Sequence, residues 1–259
     1  MFSVIEDELE IAADTAVLER RMSSAAQLSA KASATRCSTC TRPAFCMPPE
    51  LNARDVKRID AIVGSTRSVR RGETLYRVSA PFQSIYAVRA GCFKTVIVHR
   101  NGLEHVTGFY LAGDTLGLDG VSTDLHTCDA IALEDSIVCV IPFHLLAAVC
   151  RDVEAMQQHV HRMLSGEIVR EASLLMQFGT MTAAQRIAAF LLDLSRRFKA
   201  RGYSSIEFIL RMTREEIGSY LGMKIETVSR MFSRLQDDGL IDATGKRIRI
   251  LDIDGLMKL

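Results

Sequence analysis

Thr213-Arg214-Glu215-Glu216-Ile217-Gly218-Ser219-Tyr220-Leu221-Gly222-Met223-Lys224-Ile225-Glu226-Thr227-Val228-Ser229-Arg230-Met231-Phe232-Ser233-Arg234-Leu235 decides the reading of this 259-residue chain. Ile217 and Leu221 lie one turn apart and share the inward face of a first helix. Gly218 is the small residue needed where two helices approach closely. Gly222, four on, supplies a left-handed turn. Val228, Met231 and Leu235 form the inward face of a second helix. This spacing fits a helix-turn-helix, whose second helix enters the major groove of DNA. Its outward face presents Glu226, Ser229 and Arg230. Arginine reads guanine bidentately, glutamate accepts from cytosine, and serine contacts either base type. Lys224 and Thr227 flank this face, where phosphates would lie.

Downstream, two short alternating runs around Thr244-Gly245 predict a hairpin, the wing of a winged helix. Lys246, Arg247 and Arg249 would meet phosphate there. Upstream, residues 184–200 form another amphipathic helix. Residues 153–178 hold no proline and one glycine. They run about 39 Å if fully helical. Leu164, Ile168, Glu171, Leu175 and Phe178 follow at heptad-like steps. The plain alternative is a helix packed on its own domain. A β-domain leaves so long a helix little else to cover, which points to a parallel dimer seam over 150–179. Glu171 is the flaw in that seam, because in a symmetric pair it faces its twin. The dimer is therefore expected to be weak unless something else favours it.

From Thr66 to Phe143 short β-branched runs alternate with glycine turns, at 73–76, 84–88, 93–98, 104–109 and 136–141. They predict a small β-barrel or roll. Leu51 to Val63 reads as a short helix. Residues 37–49, with three Cys and three Pro, read as an irregular loop. Residues 1–36, Ala/Ser-rich toward their end, read as a mobile tail.

Cys37-x2-Cys40-x5-Cys46 puts three thiols within ten residues, enough to wrap one centre with a fourth ligand from afar. Cys92, Cys128, Cys139 and Cys150 are the candidates, and local physics does not choose among them. Cys139 ends a strand just before Pro142, where a barrel rim could face the loop. Soft thiolates at irregular spacing favour iron–sulfur over zinc, which more often pairs Cys-x2-Cys with a second close pair. A purely structural role stays open.

The net charge of +1 conceals an asymmetry. Residues 1–178 carry 18 Lys/Arg against 21 Asp/Glu, and residues 179–259 carry 14 against 10. One part is acidic and one basic, so only the second is suited to a polyanion. No run is long enough to span a membrane, and the acidic start argues for a cytoplasmic protein. No Ser/His/Asp set, phosphate loop or paired carboxylates suggest an enzyme.

Together these stretches resemble the CRP/FNR superfamily of bacterial transcription regulators, and within it the fumarate-and-nitrate-reduction branch. The match covers roughly residues 37–251. It rests on Cys37-x2-Cys40-x5-Cys46, Gly108-Phe109-x-Leu111-Ala112-Gly113-Asp114, Val138-Cys139-x-Ile141-Pro142-Phe143, Leu164-Ser165-Gly166-Glu167-Ile168, Leu194-Ser195-Arg196-Arg197-Phe198 and Glu226-Thr227-x-Ser229-Arg230. The resemblance implies an α+β fold. A cyclic-nucleotide-binding-like jelly roll with its cysteine loop (37–149) precedes a dimerisation helix (150–179) and a winged helix-turn-helix (180–259). It implies a [4Fe–4S] cluster on Cys37, Cys40, Cys46 and Cys139, leaving Cys92, Cys128 and Cys150 as spectators. It implies a homodimer that binds DNA without oxygen and falls apart when oxygen converts the cluster to [2Fe–2S] and then destroys it. The operator would be a TTGAT-N4-ATCAA-like palindrome. RNA polymerase would be met near the His99–Glu104 turn and Asp135–Ser136.

Three rivals share parts of this pattern. A cyclic-nucleotide regulator needs a cation in its cradle, and Gly113 to Asp135 contains none. A haem sensor, ligated through His105, His126 or His144, leaves the cysteine loop unexplained. A zinc-stabilised repressor without sensing would use the same thiols.

Overall fold

The computed structural model describes residues 37, 40, 46–48, 50–99 and 102–259. The tail expected at 1–36 and much of the cysteine loop lie outside the described residues. In chain order the elements are α1 (Ala53–Ile62), β1 (Ser65–Val69), β2 (Thr74–Tyr76), β3 (Ser84–Ala90), β4 (Cys92–Val98), β5 (Glu104–Leu111), β6 (Thr115–Leu116), β7 (Asp129–Ala132) and β8 (Ser136–Pro142). There follow α2 (Phe143–Asp152), α3 (Glu154–Thr180), α4 (Ala183–Ala200), β9 (Glu207–Ile209), α5 (Arg214–Leu221), α6 (Ile225–Asp237), β10 (Ile241–Thr244), β11 (Arg247–Ile250) and α7 (Ile253–Met257).

Two four-stranded antiparallel sheets, β1-β8-β3-β6 and β2-β7-β4-β5, make the roll. Val69, Leu75, Val88, Phe93, Leu116 and Val138 fill the space between them. The five expected strands are present, and β1, β6 and β7 are additional. Their sequences explain why pattern alone passes over them. Ser65–Val69 buries only its last residue, Thr115–Leu116 is two residues long, and Asp129–Ala132 carries two alanines. All three are held by backbone pairing to neighbours.

The helix expected over 150–179 is two helices. The chain breaks at Val153 (φ −122°, ψ 92°), so Cys150 belongs to α2 and the long helix begins at Glu154. Burial of Val153 among Ile59, Ile62, Leu146, Val149 and Met156 fixes the bend there. This second core ties α1, α2 and the first turn of α3 together, and Cys37, Cys46 and Cys139 pack against it.

The third core spans both halves of the chain. Val96, Val106, Phe109 and Leu111 of the roll belong to the same buried cluster as Ile187, Leu191, Ile217, Val228 and Leu235. Helix α4 opens on a capping box between Thr182 and Gln185 and buries one face in this cluster.

Candidate nucleic-acid interface and thiol centre

Helix α5 starts with a second capping box. The Thr213 N–H donates to Glu216 Oε2 at 2.7 Å, and the Glu216 N–H to Thr213 Oγ1 at 3.1 Å. It ends on Gly222 at φ +64°, the left-handed value expected. A Cβ on Gly218 would lie 2.6 Å from the Met223 carbonyl oxygen, so only glycine lets the turn fold back this closely. Helix α6 buries Val228, Phe232 and Leu235, with Met231 only half-buried. Phe232 thus takes much of the inward role expected of Met231. The Arg214 guanidinium lies 3.3 Å over its ring, and burial pushes that arginine's pKa down to about 10.

Glu226, Ser229 and Arg230 are exposed on one side of α6. Arg230 Nη2 lies 3.4 Å from the half-buried Thr227 hydroxyl, which braces it over the surface. Lys224 stands at the helix N-cap and no side chain caps α6, leaving the positive end of the helix dipole for an anion. The wing is the β10–β11 hairpin, turning through Gly245 at φ +60° and an exposed Lys246. β9 adds a third strand that the sequence did not betray. It brings Glu207 within 2.7 Å of Arg247 Nη2, so Arg247 is partly neutralised where Lys246 is not in any ion pair among the described residues.

On α3, Ile168, Val169, Leu175 and Met176 are 56–69% exposed and form an apolar stripe with the exposed Glu171 beside it. Leu164 is half-buried, at the edge of the roll. Phe178 departs from the expected seam. Its ring lies under Arg186 (5.5 Å) and its carbonyl accepts from Arg186 Nη2 at 2.8 Å, so it serves the joint between α3 and α4.

Between the roll and α3 lies a cavity of about 550 Å³, lined among others by Thr95, Tyr110, Asp119, Glu167, Arg170 and Glu171. Its cation, Arg170, comes from the helix rather than from the strands. It sits 3.3 Å from Glu167 and over the Tyr110 ring. His126 is buried, stacked at 3.8 Å on Tyr76 with its ring nitrogen 3.4 Å from Asp119.

Cys37, Cys40, Cys46 and Cys139 are all half-buried. Cys139 sits mid-β8, opposite Thr66 on one side and Ala87 on the other. Burial pushes the Cys37 thiol up to about 12, helped by Asp60 and then by Cys139 and Cys40. Burial does the same to Cys46, helped by Cys139, Cys37 and Cys40. The four thiols therefore share one neighbourhood. Among the described residues no three metal-binding side chains stand close enough for a single metal ion. A polynuclear cluster, whose ligands sit on different irons, asks for wider spacing, and four soft thiols suit it. Cys92 is buried at the start of β4, Cys128 directs its thiol to Asp119 at 3.7 Å, and Cys150 sits on α2.

No helix of the described residues is long and apolar enough to cross a membrane. Residues 66–153 match the family description "Cyclic nucleotide-binding domain", and residues 185–259 match "Crp-like helix-turn-helix domain". The chain is 44% identical to the transcriptional regulatory protein btr of Bordetella pertussis, over 87% of this chain and 93% of that one. It is 38% identical to the fumarate and nitrate reduction regulatory protein of Escherichia coli (strain K12), over 87% and 90%. The solved structure of FixK2 from Bradyrhizobium japonicum superposes with a TM-score of 0.70 at 28% identity, covering 75% of this chain and 96% of that one. A β-roll feeding a long helix and a winged reader is thus shared with regulators along nearly their whole lengths. The chain belongs to the CRP/FNR family of DNA-binding transcription regulators and is not an enzyme.

Proposed function

We propose that the chain is an oxygen-responsive regulator of anaerobic-metabolism genes, with a [4Fe–4S] cluster on Cys37, Cys40, Cys46 and Cys139. As a homodimer it reads a TTGAT-N4-ATCAA-like palindrome through Glu226, Ser229 and Arg230. Lys224, Thr227, Lys246 and Arg247 hold phosphates. The observation that carries this reading is the packing of Cys37, Cys46 and Cys139 on the core that contains the first turn of α3, with Cys40 near enough to Cys37 and Cys46 to act on their charge. The cluster supplies a reaction with oxygen that these side chains lack. The thiols bind it, and Val153 and Met156 pass any loosening of the loop to the base of the long helix. Further along that helix, the Ile168–Leu175 stripe awaits a partner and Glu171 opposes it. The cradle cavity sets Asp119, Glu167 and Glu171 against one guanidinium, which disfavours an anionic cyclic nucleotide. The names of several relatives, among them an anaerobic regulatory protein of Pasteurella multocida, agree with the physiological part. RNA polymerase would be met at the 99–104 turn and Asp135–Ser136.

Anaerobic purification with absorption spectra before and after air tests the reading. Visible bands that bleach in air, with iron and acid-labile sulfide in equal amounts, are expected. Alanine at any of the four cysteines should abolish the bands, and Cys92→Ala or Cys150→Ala should keep them. Zinc without sulfide, or a haem band, would overturn it in favour of the zinc-stabilised or haem-based regulator.

A further inference from the structure

The winged helix docks along the edge of β5, and the contact has three parts. At one end Asp114, in the turn after β5, meets two guanidinium groups of the α4 end. Arg197 Nη2 lies 2.5 Å from its Oδ2, and Arg201 Nη2 pairs with its Oδ1. The same arginines donate to the carbonyls of Phe109 and Ala112. At the other end the Val106 N–H donates to Ser219 Oγ at 2.9 Å, and the Ser219 hydroxyl donates to the Glu104 carbonyl at 3.3 Å. Between them the rings of Phe109, Phe190 and Tyr220 stand 5.1–6.1 Å apart.

This contact covers α4 and α5, the back of the reader, while the base-reading residues of α6 stay exposed. A device for hiding the reading face would cover α6 instead. What such a contact does is fix orientation. In a dimer that reads two half-sites, the distance between recognition helices depends on how each reader is held to its own protomer.

We infer that Asp114 is a positioning residue for DNA recognition: paired with Arg197 and Arg201, and aided by the Ser219 bracket, it sets the half-site spacing that the dimer accepts. The inference rests on the reading of the chain as a dimer on an inverted repeat. Asp114 suits the role chemically. Burial works against its charge, but Arg197 and Arg201 outweigh burial and hold the carboxyl below its usual range. Its Oδ2 also accepts from the Leu111 N–H at 2.7 Å, which locks the turn that carries it. Asparagine there keeps the size and removes the one charge that both guanidinium groups share, while Arg197 keeps Asp193 at 3.6 Å.

The test uses the anaerobically purified full chain and a series of operators whose spacer changes one base pair at a time. Wild type should prefer one spacer sharply. Asp114→Asn should reduce that preference at least about fivefold, the low end of ordinary coupling between sites. Its binding to a duplex with a single half-site should not change, because the reading face is untouched. Ser219→Ala removes a bridge at the far end of β5 without stranding a charge, and should reduce the preference in the same direction. It decides the matter if Asp114→Asn fails to fold by circular dichroism and thermal melting. Full spacer selectivity in the folded variant overturns the inference, as does a wild type without spacer preference. A wild type that binds no inverted repeat at all removes the dimer reading beneath it, and this is visible before any variant is made.

Discussion

Lys94 of β4 and Glu216 of α5 stand with ammonium nitrogen and carboxylate oxygen 2.9 Å apart, at 14% and 17% side-chain exposure. The same carboxylate closes the capping box with Thr213. One side chain thus caps the start of a helix and ties it to the roll.

Burial alone would raise the Glu216 carboxyl, but the Thr213 N–H and Lys94 outweigh it and hold it below the usual carboxylate range. A lowered folded pKa stabilises fully above the unfolded value and is lost as pH falls through the folded one. Glu216→Gln keeps the capping box and removes only the ion pair. It should cost about 1–2 kcal/mol near neutral pH and leave stability less sensitive to acid, as thermal melts across pH would read.

Two glycines should respond with opposite sign. Gly218→Ala drives a methyl into the Met223 carbonyl, which is backbone and cannot move cheaply. A loss of about 1–3 kcal/mol is expected, with weakened DNA binding. Gly166→Ala in mid-α3 meets nothing within 4 Å, so it should stabilise by up to about 1 kcal/mol through helix propensity. Denaturant melts of the pair check both.

Glu171→Ala should strengthen the dimer in air. Relieving one like-charge contact is worth on the order of 1 kcal/mol, so association should tighten about fivefold, and aerobic DNA binding should appear. Sedimentation of the air-exposed variant reads this directly; an unchanged monomer refutes the seam.

Arg230→Ala and Lys246→Ala should differ in kind. The first should relax specificity at its guanine by about 1–3 kcal/mol. The second should weaken all sequences alike and lower the salt slope by about one. Arg247→Ala should do less than Lys246→Ala, because Glu207 already holds that guanidinium. Equal losses on operator and random DNA for both Arg230 and Lys246 variants would contradict the assignment.

The winged helix was legible almost to the residue. Gly218 and Gly222 occupy their places for steric reasons that act within a few residues, and such reasons are written locally. The three missed strands and β9 show the other case, since each exists because a distant partner offers backbone groups. Cys139 is intermediate. Spacing marked Cys37, Cys40 and Cys46 as one loop, but the register of β8 that brings Cys139 to it is a property of the sheet. Val153 escaped because an apolar residue in a helical run carries no sign of a break. Arg170 escaped because the cradle was judged from its strands, and the helix that roofs it supplies the cation. Phe178 escaped because heptad spacing says nothing of Arg186.

One buried cluster runs from Val96 and Phe109 of the roll into the heart of the reader. The roll keeps a core of its own between its sheets, but the interior of the reader is continuous with the roll. Calorimetry should find them unfolding as one cooperative block rather than as beads on a string. Along β5 a substitution is felt twice, by the roll and by the winged helix, so neither can drift without the other.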